Sequence, residues 1–343
     1  MMELKVVKVE DAVGMVLAHD VTEIVPGKFK GVAFKKGHII QEEDIERLLR
    51  IGKEHIYIFE LDENTLHEDD AAIAIGNLVC GEGTYYTEPH EGKINIMPKY
   101  KGLLKIKRDV VDEINDLGDM VLATIHGDVS IDEGHLIGGF RVIPLIIEKG
   151  KIESAKKILE EKGPIFQVKE FKRLKTAIIV TGSEVYKGRI EDKFGPVVEK
   201  KVKAFGSEVI HKSILPDDLE VIKDEILKSK EMGAELILVT GGMSVDPDDK
   251  TPGAIKATGA EIVSYGTPVL PGAMLLTAYL DNIPVMGLPG CVMFSRITAF
   301  DLLLPRIFAG ERISRKDITR LGYGGQCLSC KVCTFPDCHF GKC

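Results

Sequence analysis

From about residue 172 onward, the apolar positions switch between two periods. "TAIIVTG" (176–182) and "ELILVTGG" (235–242) are continuous apolar runs ending in glycine, the pattern of strands buried on both faces. "SEVIHKSIL" (207–215) reads as another strand. Between the strands, "PVVEKKVKAFG" (196–206) places Val198, Val202 and Phe205 at helical spacing. "DDLEVIKDEILKSKEMG" (217–233) puts Leu219, Ile222 and Ile226 on one face and opens with Asp217 and Glu220 in a capping-box relation. "TPGAIKATG" (251–259) predicts a helix with Thr251 at the cap and Pro252 at the first helical position. Strands separated by such helices make βαβ units and a parallel sheet. "MLLTAYL" and "IPVMGLPG" then read as a hairpin joined at Asp281–Asn282, and "VMFSRITAFDLLLPRIFAG" (292–310) as one long closing helix.

The first half is less regular. "LKVVKV", "GMVLAHDVTEI" and "HIYIF" predict strands, and "QEEDIERLLRIG" (41–52) an amphipathic helix carrying Ile45, Leu48 and Leu49. The polar stretch "LDENTLHEDD" (61–70) reads as a connection. Beyond it, strands are expected at "KINIMPK", "GLLKIK", "MVLATIHG" and "FRVIPLII", with a helix at "KIESAKKILEEKG". The expected order is a small mixed unit (1–65), an α+β domain of unassigned role (66–171), an α/β domain (172–312) and a cysteine-rich tail (313–343). The fold class is α/β, a parallel sheet with helices on both faces, preceded by mixed α+β regions.

Composition narrows the function classes. A net charge of −8 gives no basic footprint for nucleic acid. No apolar run reaches the length of a membrane helix, and the first residues lack a secretory pattern, so the expectation is a cytoplasmic protein with no membrane or nucleic-acid partner.

In an open parallel sheet, ligands bind beyond the carboxyl ends of the strands. Three glycine-bearing loops leave such ends: "VTGSEVYKGRIED", "VTGGMSVDPDDKTPG" and "GLPGCVMF". Glycine admits a ligand close to the backbone, and helix starts favour an anion such as phosphate. Two of these loops also carry acids: Glu184 and Asp192 on the first, Asp246, Asp248 and Asp249 on the second. Carboxylates beside a phosphate site repel it unless a cation intervenes. Mg²⁺, held by one or two carboxylates plus substrate phosphates, meets that need. The residues therefore point to a phosphorylated small molecule with a divalent metal.

The same three loops, followed by a long closing segment, resemble the molybdopterin-binding domain found in molybdopterin adenylyltransferases, molybdopterin molybdenumtransferases and competence-damage-inducible-type proteins. The N-terminal "EDAVGMVLAHDVT" further resembles the opening of the molybdenumtransferases. By that resemblance, Thr181, Gly182, Ser183, Gly188, Gly241, Gly242, Ser244, Pro289 and Gly290 cradle the pterin and its phosphate. Glu184, Asp192 and Asp249 take the catalytic positions, holding metal or orienting the attacked phosphate. The resemblance implies insertion of molybdate into adenylated molybdopterin with release of AMP, in a homodimer. Several positions depart from the family pattern. Ser183 stands where aspartate is usual, Lys193–Phe194 replace Ser-Asn, Asp246 replaces glycine and Cys291 replaces asparagine. "VPGKFKGVAFKKG" occupies the place of an Asn-Ser-Ala-Met-Asp-Gly segment, and the family's C-terminal β-domain has no obvious counterpart.

The tail "CLSCKVCTFPDCHFGKC" concentrates Cys327, Cys330, Cys333, Cys338 and Cys343 at x2, x2, x4 and x4 spacing. This predicts a metal site, either an iron–sulfur cluster or Zn²⁺, rather than a disulfide framework. Two further functions compete with molybdenum transfer: a non-catalytic carrier handing molybdopterin cofactor to a client molybdoenzyme, and a nucleotide pyrophosphatase.

Overall fold

The computed structural model describes residues 5–25, 29–58, 64–244, 246 and 249–342. The chain divides into two compact units. One comprises Met1–Pro98, Lys107–Ile125 and His135–Gln167; the other comprises Lys99–Ile106, His126–Gly134 and Val168–Cys343. Two short segments of the middle of the sequence thus belong with the C-terminal unit.

In the first unit, strands Lys5–Lys8 and His55–Ile58 pair antiparallel, as do Val21–Val25 and Phe29–Phe34. Helix Asp44–Arg50 buries Leu48 into a small core with Val9, Leu17, Val21, Phe34, Ile40 and Ile56. Further along, a four-stranded antiparallel sheet orders Thr84–Tyr86, Lys93–Pro98, Gly138–Val142 and Met120–Thr124. The stretch expected to be a connection contains a helix start. Helix Glu68–Val79 begins inside it and buries Ala71, Ala72, Ile75 and Val79. His67 caps it, its Nδ1 accepting from Asp69 N–H at 3.1 Å, while Nε2 donates to Ala18 O at 2.9 Å. The acids Glu68, Asp69 and Asp70 fill the first turn, where the helix dipole favours negative charge. What read as polar linker is therefore the solvated, acidic opening of a helix.

The second unit holds the α/β domain, whose elements are numbered here in order. They are β1 (Lys175–Thr181), α1 (Phe194–Lys203), β2 (Glu208–Leu215), α2 (Leu219–Glu231), β3 (Leu236–Thr240), α3 (Thr251–Ala257), β4 (Glu261–Tyr265), β5 (Leu276–Leu280), β6 (Ile283–Leu288), α4 (Ala299–Phe308) and α5 (Arg315–Arg320). The sheet order is β2-β1-β3-β6-β5-β4. Strands β2, β1, β3 and β6 run parallel, and β5 and β4 add antiparallel pairs at one edge. Alternation along the strands explains the two covered faces. Ile178, Val180, Leu236, Leu238 and Met286 pack with Val198 and Val202 of α1 and with Phe300, Leu303 and Ile307 of α4. Ala177, Ile179, Ile237, Val239 and Val285 pack with Ile222 and Ile226 of α2 and with Ala254 and Ile255 of α3.

Three local expectations are corrected. The single helix over 292–310 is a short 3-10 turn, Gly290–Met293, and then a separate α4; the Thr298–Asp301 capping box restarts the chain as a helix only at Ala299. Asp217 does not cap α2. Asp218 does, its Oδ1 accepting from Val221 N–H at 3.0 Å. Thr251 is the first residue of α3 rather than its cap.

The tail folds back onto this domain. Leu270 bridges to Gln326, Phe340 is buried in the α1–α4 core, and Cys327 and Cys338 pack against it. His339 Nε2 meets Gln326 O at 2.9 Å, tying the two ends of the tail together. No helix among the described residues is long and apolar enough to cross a membrane.

Candidate functional site

Parallel register brings three strand ends level. Val180 of β1 stands opposite Thr240 of β3, and Thr240 stands opposite Leu288 of β6. The chain leaves each of these adjacent ends through one of the glycine loops. β1 is flanked by β2 on one side and β3 on the other, so the order reverses there. Crevices at such switch points are where open α/β sheets place their ligands.

The first loop leaves Thr181 through Gly182, whose φ of 150° suits glycine alone, into a one-turn helix, Ser183–Tyr186. Ser183 N–H donates to Asp217 Oδ2 at 2.8 Å, and Gly182 N–H to Leu215 O at 3.1 Å. Glu184 and Gly188 are exposed, and Gly188 takes a left-handed φ of 68°. Asp192 ends the loop differently. Its Oδ1 accepts from both Phe194 and Gly195 N–H at 2.9 Å, and Lys212 Nζ lies 3.6 Å from Oδ2. That carboxylate is engaged in starting α1.

The second loop begins at Gly241 and Gly242, both at positive φ. A side chain on Gly241 would lie 2.1 Å from the Thr181 carbonyl oxygen, so glycine is what lets the first two loops touch. Thr251 Oγ1, fully buried, donates to Gly241 O at 2.8 Å and holds the turn from below. Asp246 N–H donates to Asp249 Oδ2 at 3.2 Å, and Asp249 N–H to Asp246 O at 3.0 Å, folding the acidic segment on itself. Ser244 and Asp246 are exposed, and Asp249 is half-buried. Asp248 lies outside the described residues. Tyr265, on a strand the sequence pattern did not announce, braces this loop by donating to Met243 O at 3.1 Å. Burial, and then the charge of Asp249, pushes the Tyr265 hydroxyl above its ordinary range.

The third loop passes through buried Pro289 and exposed Gly290. A side chain on Gly290 would meet nothing within 4 Å, so the space above this turn is open. Burial also pushes the Cys291 thiol up. Lys201 Nζ donates to Arg296 O at 2.9 Å and pairs with Asp301, fixing the segment between the 3-10 turn and α4.

All of the residues expected to cradle the ligand therefore lie on these three loops or on the strand ends that feed them. Among the described residues, no three Cys, His, Asp or Glu side chains come together as a metal site. The same finding applies to the tail: Cys327, Cys330, Cys333 and Cys338 are free thiols that do not assemble an ion site, and Cys343 lies outside the described residues. Among the described residues, no formed site for an iron–sulfur cluster or Zn²⁺ is found there. A residue that sequence reasoning misassigned is Asp217, which accepts from Ser183 N–H instead of capping α2. Its signal was the adjacent pair Asp217–Asp218, of which only one can cap a helix.

Comparison with known proteins gives two family matches. Residues 6–60 match a domain of unknown function (DUF8806), and residues 177–309 match the family described as probable molybdopterin binding domain. A molybdopterin molybdenumtransferase from Staphylococcus aureus (strain COL) is 29% identical over 135 residues, which are 36% of this chain and 31% of that protein. The enzyme of the same name from Staphylococcus epidermidis (strain ATCC 35984) is 31% identical over 121 residues, 33% of this chain and 29% of that protein. The chain thus spans about a third of the length of the curated relatives it matches. Among solved structures, a molybdopterin biosynthesis enzyme from Thermus thermophilus aligns with 40% of this chain and 98% of its own, at 19% identity and a TM-score of 0.34. Residues 177–309 thus match the molybdopterin-binding domain family that the three loops resemble.

Proposed function

We propose that the α/β domain binds molybdopterin in its adenylated form across the three loops, and that the chain serves molybdenum cofactor biosynthesis as a molybdopterin molybdenumtransferase. The observation that carries this reading is the level alignment of three glycine loops at the ends of β1, β3 and β6. Relatives named for that transfer over the same region support it.

In this reading Gly182, Gly241, Gly242 and Gly290 let the pterin and its phosphates approach the backbone. Glu184 and Asp249 would hold Mg²⁺ together with the ligand's phosphates, and the ion would supply neutralisation of phosphate charge during cleavage. Pro289 fixes the third wall. The homodimer and the molybdate-dependent step belong to the same proposal.

The test is anaerobic incubation with adenylated molybdopterin and Mg²⁺, following AMP with and without molybdate. The expected result is AMP release that requires molybdate and falls about a hundredfold in Asp249→Ala, the loss typical of removing a positioned electrostatic group. Molybdate-independent AMP release would instead mark a nucleotide pyrophosphatase.

A second reading, a cofactor carrier, has one specific observation in its favour: Asp192 already serves α1, which leaves fewer acids for phosphate chemistry. It predicts tight binding of molybdopterin with no AMP release under any condition.

A further inference from the structure

The segment after the third loop carries a ring that the fold itself does not use. Phe294 is 83% exposed, whereas every other phenylalanine whose burial is described is buried or half-buried. Unlike Tyr186 on the first loop and Tyr265 beside the second, which are also exposed, it has no hydroxyl to offer to water. Leaving that much apolar surface in water forfeits the gain of burying it. A single exposed apolar residue is ordinary on a protein surface, so its place in the fold decides what it means.

That place is well fixed. Val292 N–H donates to Pro289 O at 3.0 Å, Phe294 N–H to Cys291 O at 3.1 Å and Ser295 N–H to Cys291 O at 2.7 Å, around the 3-10 turn Gly290–Met293. Val292 is fully buried in the α1–α4 core and anchors the inner side of the turn. Gly290 and Phe294 stand two positions to either side of it. At three residues per turn both fall on the outer side, and both are exposed. Nothing lies within 4 Å of the place a side chain on Gly290 would take. Beyond Phe294, Lys201 holds the chain through Arg296 O at 2.9 Å and through Asp301. An apolar ring is thus mounted on a pinned backbone, beside open space at the ligand edge of the sheet.

We propose that Phe294 is a specificity-determining residue of the candidate site, a stacking platform for a flat, fused nitrogen heterocycle of the ligand. The proposal rests on the binding reading above, whose ligand carries two such ring systems, a pterin and an adenine. Stacking on an aromatic side chain contributes about tenfold or more in affinity per ring and asks for no hydrogen-bond donor. The glycine loops and Phe294 then divide the ligand between them: backbone for its phosphates, the exposed ring for its heterocycle.

The experiment titrates the full-length parent, Phe294→Ala, Phe294→Leu and Phe294→Trp with molybdopterin and with adenylated molybdopterin, anaerobically and without molybdate. Calorimetry gives the affinities, and urea unfolding gives each midpoint. All four proteins should unfold at the same urea concentration, because so exposed a ring packs on little of the chain. Phe294→Ala and Phe294→Leu should each bind about tenfold more weakly, since leucine keeps the apolar bulk but has no flat face. Phe294→Trp should bind at least as tightly as the parent. The parent chain contains no tryptophan, so the emission of that variant comes from this position alone. Quenching by both ligands assigns the stacked ring to the pterin, and quenching by the adenylated ligand alone assigns it to the adenine. Parent-like affinity in either Phe294→Ala or Phe294→Leu, or tryptophan emission unchanged by a ligand that calorimetry shows bound, overturns the stacking role and leaves the binding reading standing. A folded parent protein that binds neither ligand overturns the binding reading, and this proposal falls with it.

Discussion

Gly241→Ala should lose roughly 3 kcal/mol or more of stability, and any surviving folded protein should bind ligand poorly. Two independent penalties add at this position. The backbone sits at φ +89°, a conformation that side chains other than glycine rarely adopt. The new methyl would also stand 2.1 Å from Thr181 O and 2.7 Å from Thr181 Oγ1, and a backbone carbonyl in a buried parallel strand cannot swing aside. Relief requires pushing the β1 and β3 loops apart, which opens the junction where the first two loops meet. Gly290→Ala is the matching control. Its φ is not left-handed and nothing lies within 4 Å, so the fold should tolerate alanine within about 0.5 kcal/mol. If the open space above Gly290 belongs to the ligand, the same substitution should weaken binding. Urea unfolding of both variants, read beside their affinities, separates a glycine needed by the chain from one needed by its ligand.

Glu311→Gln should be nearly as costly, about 3 kcal/mol, for a different reason. Glu311 lies just after α4 and gathers three cations: Arg306 Nε at 2.7 Å, Lys169 Nζ at 2.9 Å and Lys105 Nζ at 3.1 Å. Arg306 also reaches Asp317 at 3.0 Å, and both Arg306 and Glu311 are largely withdrawn from solvent. Within the second unit, these contacts fasten Lys105 of the strand Gly102–Ile106, and Lys169, to the end of α4. Burial alone would raise the Glu311 carboxyl, but the hydrogen bonds from Lys169 and Arg306 and the nearby positive charges outweigh it and bring it to about 2 from 4.5. A carboxyl depressed in the folded state stabilises fully above its unfolded value. That contribution is lost as pH falls from about 4.5 toward 2. Acid unfolding of the parent should therefore steepen across that interval, and Glu311→Gln should flatten it. An unchanged acid profile in the variant would show that the cations are held by other partners.

The loops of the candidate site were legible because their signal is local. An apolar run ending in glycine marks a buried strand and the turn beyond it, and three such endings in one domain imply one crowded edge. The register that levels them is not local, and no spacing in the sequence shows that Gly241 meets Thr181. Asp217 was misread for a related reason: a pattern three residues long offered a cap, and the competing partner, Ser183, is thirty-four residues away. The helix Glu68–Val79 was hidden by its own polar start, since acids favoured by the helix dipole look the same as linker residues. The β4 strand Glu261–Tyr265, which supplies the brace on the second loop, carries no long apolar run of its own. In the tail, cysteine spacing suggested a metal. Burial of Phe340, the packing of Cys327 and Cys338 against the same core and the Leu270–Gln326 bridge hold the segment to the domain.

The central claim is that the three loops bind molybdopterin. The most direct measurement is an anaerobic fluorescence titration of the purified full-length chain with molybdopterin, run in parallel with Gly290→Ala. The account predicts saturable binding of one ligand per chain, weakened about tenfold in a Gly290→Ala protein that unfolds at the same urea concentration as the parent. A folded parent protein that shows no saturable binding, or a Gly290→Ala variant that binds as the parent does, would contradict it.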